Sequence, residues 1–360
     1  MTQQSMIMIT SSFLMMAVIF SSLVYMGSRT LLFGIALPTE ASQDAAVRRI
    51  RRNYVWLTGG CAAVIGAACY AWMRQLPASR SILCWATAIV LLAIASYFAI
   101  WISRMSAQRL KAARGWEVAV QTKRAASLAI LRTHGTVLSF WWYSVHAAVM
   151  ALCISFAIAR WDAIPEWFST YLVDHDSSKS VWTVFMWNFM QALTIGLFAV
   201  FHVVISRSRT SIDPQDREGS LRKQLKLKKA YSILAWGASL LIVVFQGVTQ
   251  AVTLRGWKDN LIFGSGITLW AVLFLALVGV MLYLRIRGID QHKDAPSQEE
   301  RHWKWLGSFY VNAEDPALFV PDRYGFGYTI NMAKPIGKII AAAVVAMLAI
   351  FVFVIVYFLQ

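Results

Sequence analysis

Charge is what this chain has least of. Only 14% of its 360 residues are charged, against about 25% in a soluble domain. All eighteen acidic residues fall outside the long apolar runs. A carrier coupled to protons or sodium needs an acid at membrane depth, as does an intramembrane aspartyl protease or a glutamate-assisted metalloprotease. Those classes are therefore not expected. No Gly-rich phosphate loop, HExxH motif or Cys/His cluster with ligand spacing occurs, so neither a metal nor a cofactor is expected. The four cysteines, Cys61, Cys69, Cys84 and Cys153, lie inside apolar runs and form no CxxC pair, which implies no disulfide framework. Nothing basic precedes the first apolar run and no small-residue cleavage site follows it, so it does not read as a cleaved signal peptide.

What the chain does have is hydrophobic residues, 58% of the total, gathered in blocks. Runs of roughly 20 apolar residues, long enough to cross a bilayer as helix, lie near 6–26, 54–73, 82–102, 138–159, 182–205, 230–252, 262–283 and 336–359. Backbone groups must be satisfied internally in lipid, and no alternating barrel pattern appears. The expected fold class is an all-α membrane protein, an eight-helix polytopic bundle.

The basic residues predict which way it faces. All but six of the 34 lie in the loops after the first, third, fifth and seventh runs or at the start of the last run; the six are Arg74, Arg80, Arg160, Lys179, Arg255 and Lys258. The positive-inside rule then places those loops in the cytosol and both termini outside. Basic residues beside spans also explain the net charge of +16 without nucleic acid, which is not an expected partner.

The chain divides into spans 1–3 with basic loops (1–135), spans 4–5 (136–229), spans 6–7 (230–290), an aromatic, Gly-rich module (291–335) and span 8 (336–360). In the first loop Pro38 stops the incoming chain, and Ser42 is the expected N-cap of a short helix that carries Arg48, Arg49, Arg51 and Arg52 and runs into span 2. Alternation around Trp116, Val118 and Val120 predicts a strand. A turn at Asp213–Pro214 precedes a basic helix. In the module, "GSFYV", "ALFV" and "GYTIN" are short β-prone pieces separated by turn residues, predicting a small β-containing cap, completed by the Trp116 strand. About 35 residues bury little core alone, so the cap is expected to pack on the other loops or the lipid surface. Its candidate residues are Trp303, Trp305, Tyr310, Asp315, Pro316, Arg323, Gly325, Gly327 and Asn331.

Two further constellations stand out. Between runs 4 and 5, Trp161, Trp167, Phe168, Tyr171 and Trp182 mix with Asp162, Glu166, Asp174 and Asp176. Interfacial aromatics explain such a loop, and the same mixture suits a cationic amphipathic peptide; its candidate contacts are Asp162, Glu166, Trp167, Tyr171, Asp174 and Asp176. Inside the spans, Asn188, Gln191 and His202 share a helical face, Gln246 and Gln250 stand one turn apart, and His146 lies in run 4. Interhelical hydrogen bonding is the plain explanation; a polar pathway is the alternative. Neither histidine has a nucleophile and orienting group in view, and "FGSG" around Ser265 is too short to mark a nucleophile. Gly59, Ala63, Ala67 and Ala71 repeat every four residues and predict a close-packing face.

The stretch 161–223, "WDAIPEWFSTYLVDHDSSKSVWTVF…SIDPQDREGS", resembles the domain of unknown function in bacterial membrane proteins related to SdpI, an immunity protein against a sporulation-delay toxin. The stretch 301–335, "RHWKWLGSFYVNAEDPALFVPDRYGFGYTINMAKP", is similar to a second uncharacterised module at the C-terminal end of such proteins, and "FGIALPTEA" is similar to their first cytosolic loop. The outer loop departs from the family where a His and an Asn are usual, with Phe168 to Val173 in their place. The resemblance carries over no catalytic residue. It implies a bacterial plasma-membrane protein without enzymatic activity, with immunity to a membrane-active peptide as precedent. The partners it implies are the lipid bilayer, such a peptide or a cytosolic signalling protein. The alternative expectation is an uncoupled small-solute transporter or channel lined by the polar residues of spans 5 and 6.

Overall fold

A computed structural model describes residues 3–26, 31–38, 40–76, 78–116, 137–169, 176–210, 217–256, 260–287, 302–304, 309–322 and 327–359. Among these, eight α-helices dominate: α1 (Gln3–Met26), α2 (Ala45–Met73), α3 (Ala78–Ala113), α4 (Ser144–Ala159), α5 (Val181–Arg207), α6 (Arg217–Arg255), α7 (Asn260–Ile286) and α8 (Pro335–Leu359). Each overlies one expected apolar run. Seven are long and apolar enough to cross a membrane, α2 to α8, with α4 counted together with the single 3₁₀ turn before it. The chain is thus a multi-pass membrane protein. In α1 the described apolar stretch covers Ile9–Tyr25.

Two helices outrun the bilayer. At ~1.5 Å per residue α6 is about 58 Å long, nearly twice a ~30 Å hydrocarbon core, so its basic first turns, which carry Arg222, Lys223 and Lys226, project beyond the apolar run. At the matching end of α3, Gly115 (φ 60°) takes the left-handed conformation that closes the helix. The Gly115 N–H donates to Ala112 O and the Trp116 N–H to Lys111 O, at 3.2 Å each, the paired bonds of a Schellman end. Trp116 is therefore the cap of α3, packed against the first loop, not the start of a strand completing the C-terminal cap. The rest of that expected strand, and the turn at Asp213–Pro214, lie outside the described residues.

The first loop folds more tightly than expected. Strands β1 (Leu31–Leu32) and β2 (Ile35–Ala36) pair across Phe33 and Gly34. Both turn residues have positive φ, 49° and 76°, as a two-residue type I′ turn requires. Phe33 is an unusual residue there; its ring packs 5.1 Å from Tyr54 and its carbonyl accepts from Arg104 Nη1 at 2.9 Å. Asp44, rather than Ser42, caps α2 by accepting from the Ala46 N–H at 2.7 Å, and the helix that carries the four arginines runs unbroken into the second apolar run, as expected.

The remaining strands form three more hairpins. β3 (Trp167–Ser169) pairs with β4 (Asp176–Ser178), β5 (Trp303–Lys304) with β6 (Phe309–Tyr310), and β7 (Phe319–Pro321) with β8 (Tyr328–Ile330). A bridge between Tyr310 and Asn331 ties the last two pairs together, so the C-terminal module is a small β-containing unit as expected.

One expectation reverses. The face Gly59, Ala63, Ala67, Ala71 does not pack closely: Ala63, Ala67 and Ala71 are exposed, and a Cβ added to Gly59 would meet nothing within 4 Å. The buried face of α2 is Tyr54, Thr58, Ala62, Cys69 and Met73, joined to α1 by a Tyr54 hydroxyl donating to Phe20 O at 2.7 Å.

Candidate functional site

The C-terminal module is built around two buried polar side chains. Asn331 is fully buried at the end of β8. Its Nδ2 donates to Asn312 O (2.8 Å) and Ala317 O (3.2 Å), and its Oδ1 accepts from the N–H groups of Asn312 (3.1 Å) and Ala333 (3.2 Å). Both loops of the module hang on this one amide. Asp315 is the second hub. Its Oδ1 accepts from the Ala317 N–H (2.9 Å), an Asx turn, and its Oδ2 accepts from the Tyr310 hydroxyl (2.9 Å) and Arg209 Nη1 (2.6 Å). The Arg209–Asp315 ion pair is largely buried.

Arg209 is what attaches the module to the bundle. It leaves the C-terminal end of α5, and its N–H donates to Phe319 O at 2.8 Å while its guanidinium holds Asp315. Beside it Lys228 of α6 is buried and donates to Ser208 O (2.5 Å) and Thr210 Oγ1 (3.0 Å). Tyr328 stands edge-on to Tyr231 of α6 at 6.3 Å. Burial pushes the Tyr328 phenol up to about 12, offset in part by a hydrogen bond with Ser208. On the far side, Gly337 in the first turn of α8 is buried, and a Cβ there would run into Asn331 O. The module is thus a latch across the ends of α5, α6 and α8.

Of the expected module residues, Tyr310, Asp315 and Asn331 form this core, and Trp303 packs on Tyr310 at 5.3 Å. Pro316 is exposed, and Gly327 (φ 92°) closes the β7–β8 hairpin. Trp305, Arg323 and Gly325 lie outside the described residues. Sequence reading missed Arg209, Lys228 and Gly337. The two basic residues look like ordinary topology signals, and only their burial sets them apart.

The intramembrane polar residues resolve into two groups. Asn188 Nδ2 donates to Gln191 Oε1 (3.0 Å), Gln250 Nε2 to Asn188 Oδ1 (2.6 Å) and Val184 O (3.0 Å), Gln191 Nε2 to Val243 O (3.0 Å), and Gln246 Nε2 to Thr194 Oγ1 (3.2 Å). These amides lace α5 to α6. Gly247 sits where α4 crosses, and a Cβ there would press on Cys153 Sγ and Gln191 Nε2. His202 belongs elsewhere, edge-on to Phe140 and Tyr143. His146, fully buried, meets Ser239 Oγ at 2.8 Å. Ser239 Oγ also donates to a helix carbonyl, Trp236 O at 2.8 Å. Ser265 likewise donates to a helix carbonyl, Ile262 O at 3.0 Å.

At the other end of the bundle, the β3–β4 hairpin is anchored by buried Phe168 against Ala157, Ile164, Val184 and Leu254. Ser180 and Thr183 form a capping box that starts α5 beside it. Asp162, Glu166 and Trp167 are exposed, Trp167 to 64% and Trp182 to 79%. Two cations at this end are turned onto rings: Lys179 Nζ lies 5.1 Å over Trp161 and the Arg255 guanidinium 5.2 Å over Phe156. Tyr171 and Asp174 lie outside the described residues, and Asp176 is in β4. Among the described residues no cluster of three or more His, Cys, Asp or Glu is placed to hold a metal ion.

A family of unknown function, DUF5808, matches residues 313–338. That window runs from the loop before Asp315 to the first turn of α8 and contains Asp315, Asn331 and Gly337. No curated protein and no solved structure matches the chain.

Proposed function

We propose that this is a non-catalytic plasma-membrane protein whose β3–β4 rim meets cationic membrane-active peptides, in the manner of a toxin-immunity protein, while the C-terminal latch holds the opposite, cytosolic end. The observation that carries the reading is the rim's composition. Asp162 and Glu166 are exposed next to exposed Trp167 and Trp182, while Lys179 and Arg255 are folded onto rings. A cationic amphipathic helix presents a basic face and an apolar face, and this rim offers a counterpart to each. The excess of basic residues at the latch end supports a cytosolic latch and external termini. The resemblance of 161–223 to SdpI-related proteins supports the same reading. In it the latch either stabilises the bundle or reports to a cytosolic partner.

The test is survival of cells, with and without the protein, challenged with cationic and with uncharged hydrophobic peptides. Selective protection against the cationic set is expected, abolished by charge reversal at Asp162, Glu166, Asp174 and Asp176 with membrane insertion unchanged. Protection that survives the reversal overturns the reading.

A second reading, uncoupled passage of a small solute, draws on one observation. Gln246 Oε1, Gln250 Oε1 and Thr253 Oγ1 are buried on one face of α6 and lack a hydrogen-bond partner among the described residues. Such a row could hand a polar solute along the helix. Liposome flux that disappears in Gln191→Leu would support it, and equal flux in that variant would remove it.

A further inference from the structure

An open groove runs between α1 and α2. Its volume is about 510 Å³, within the ~300–1,000 Å³ common for ligand sites. Its walls are apolar, with Phe13, Leu14 and Val18 on one side and Ala63, Ala67 and Tyr70 on the other. The small residues of α2 make it deep, since Gly59 has open space beside it. At one end stands Tyr25, and Tyr25 also lines a second cavity of about 810 Å³ whose other walls include Arg48, Arg49, Arg51 and Arg52. The two spaces therefore adjoin, one apolar and one strongly basic.

We propose that together they bind one anionic phospholipid, with an acyl chain in the α1–α2 groove and its phosphate among the four arginines. The arginines fill the helical turns just before the apolar part of α2, the depth at which a phosphate headgroup lies. Guanidinium groups bind phosphate through paired hydrogen bonds. The carboxylate nearest in sequence, Asp44, is occupied by the Ala46 N–H and by Arg114 at 3.5 Å. Glu40, four residues further back, is exposed. Of the four arginines, Arg48, Arg49 and Arg52 are exposed. A second copy of the chain fits this face poorly, because a two-fold contact puts the same patch on both subunits and would bring arginine cluster against arginine cluster at the same depth. Free phosphate would use the arginines but not the groove.

The test uses the full chain, stripped of lipid in a non-ionic detergent and examined by native mass spectrometry. The probes are dioleoylphosphatidylglycerol, dioleoylphosphatidylcholine and inorganic phosphate. One molecule of the anionic lipid should be held at least about tenfold more tightly than the zwitterionic one, because basic residues near the headgroup favour net negative charge. Arg48→Gln/Arg49→Gln/Arg52→Gln should erase that preference, whereas Ala63→Leu/Ala67→Leu should weaken both lipids by filling the groove. All five positions are exposed, so both variants should fold, and circular dichroism checks it. Equal retention of the two lipids overturns the proposal. So does a preference that survives the arginine variant, unchanged binding in the groove-filled variant, displacement by inorganic phosphate at matched concentration, or a lipid-free dimer that closes the groove.

Discussion

The two halves of this bundle are held together by different physics. Helices α5 and α6 meet through a ladder of buried amides, and their ends are locked by an ion pair and a buried asparagine. Helices α1 to α3 meet mainly through apolar contacts around Phe13, Ala62 and Leu92, with hydroxyl bonds at Tyr54 and Thr58 at one end, and leave a groove open beside them. In lipid, apolar contact gains little, because the tails are as apolar as the side chains, and geometry is specified by polar bonds and close packing. The amide-laced half is thus the one whose arrangement is fixed, and the apolar half is the one with room for a guest.

Breaking the fixed half should cost most at the latch. Arg209→Met leaves Asp315 buried beside Tyr310 with its cation gone, and about 3–5 kcal/mol of stability should go with it. Thermal unfolding in detergent measures this, and adding Asp315→Asn should restore much of the loss. Asn331→Ala removes both loops' shared partner and should cost about 3 kcal/mol, seen as faster proteolysis within 302–334. Gln191→Leu should cost only about 1 kcal/mol, in line with single interhelical bonds in membranes; a loss near that of the latch variants would mean the ladder acts as one cooperative unit. The Tyr328 phenol offers a gentler probe. Its ionisation is pushed from about 10 up to about 12 in the folded state, so its contribution is complete below pH 10 and fades as pH rises toward 12. Tyr328→Phe should flatten that alkaline limb in a pH series of unfolding scans. In the apolar half, Ala63→Leu should change stability by no more than about 0.5 kcal/mol; a large loss would show that the groove is tighter than it looks.

The positions of the eight helices were legible because runs of apolar residues are long and unbroken. The polar side chains were legible as residues but not as groups. Spacing put Asn188, Gln191 and His202 on one face, yet the partner helix decides the outcome: Gln250 claims Asn188, while Tyr143 and Phe140 surround His202. On α2, four-residue spacing identified a face but could not say whether anything covers it. The short strands of the C-terminal module could be read from turn residues, whereas its attachment could not, since Arg209 and Phe319 are over a hundred residues apart. Nothing local marks which of many basic residues will find a buried carboxylate.

The latch also bears on how such a chain is made. Its bonds join Arg209 beyond α5, the hairpins around Asp315 and Asn331, and the first turn of α8, where only a glycine fits against Asn331 O. A ribosome delivers these pieces in order, and the last arrives only when residue 337 has emerged. Until then Arg209 waits without Asp315 and Phe319 O. Closure of the latch is therefore a late event of biosynthesis, a seal set after the bundle beneath it has been laid down. A nascent chain stalled before that point should leave the Arg209 bond open to trypsin, and the released chain should not.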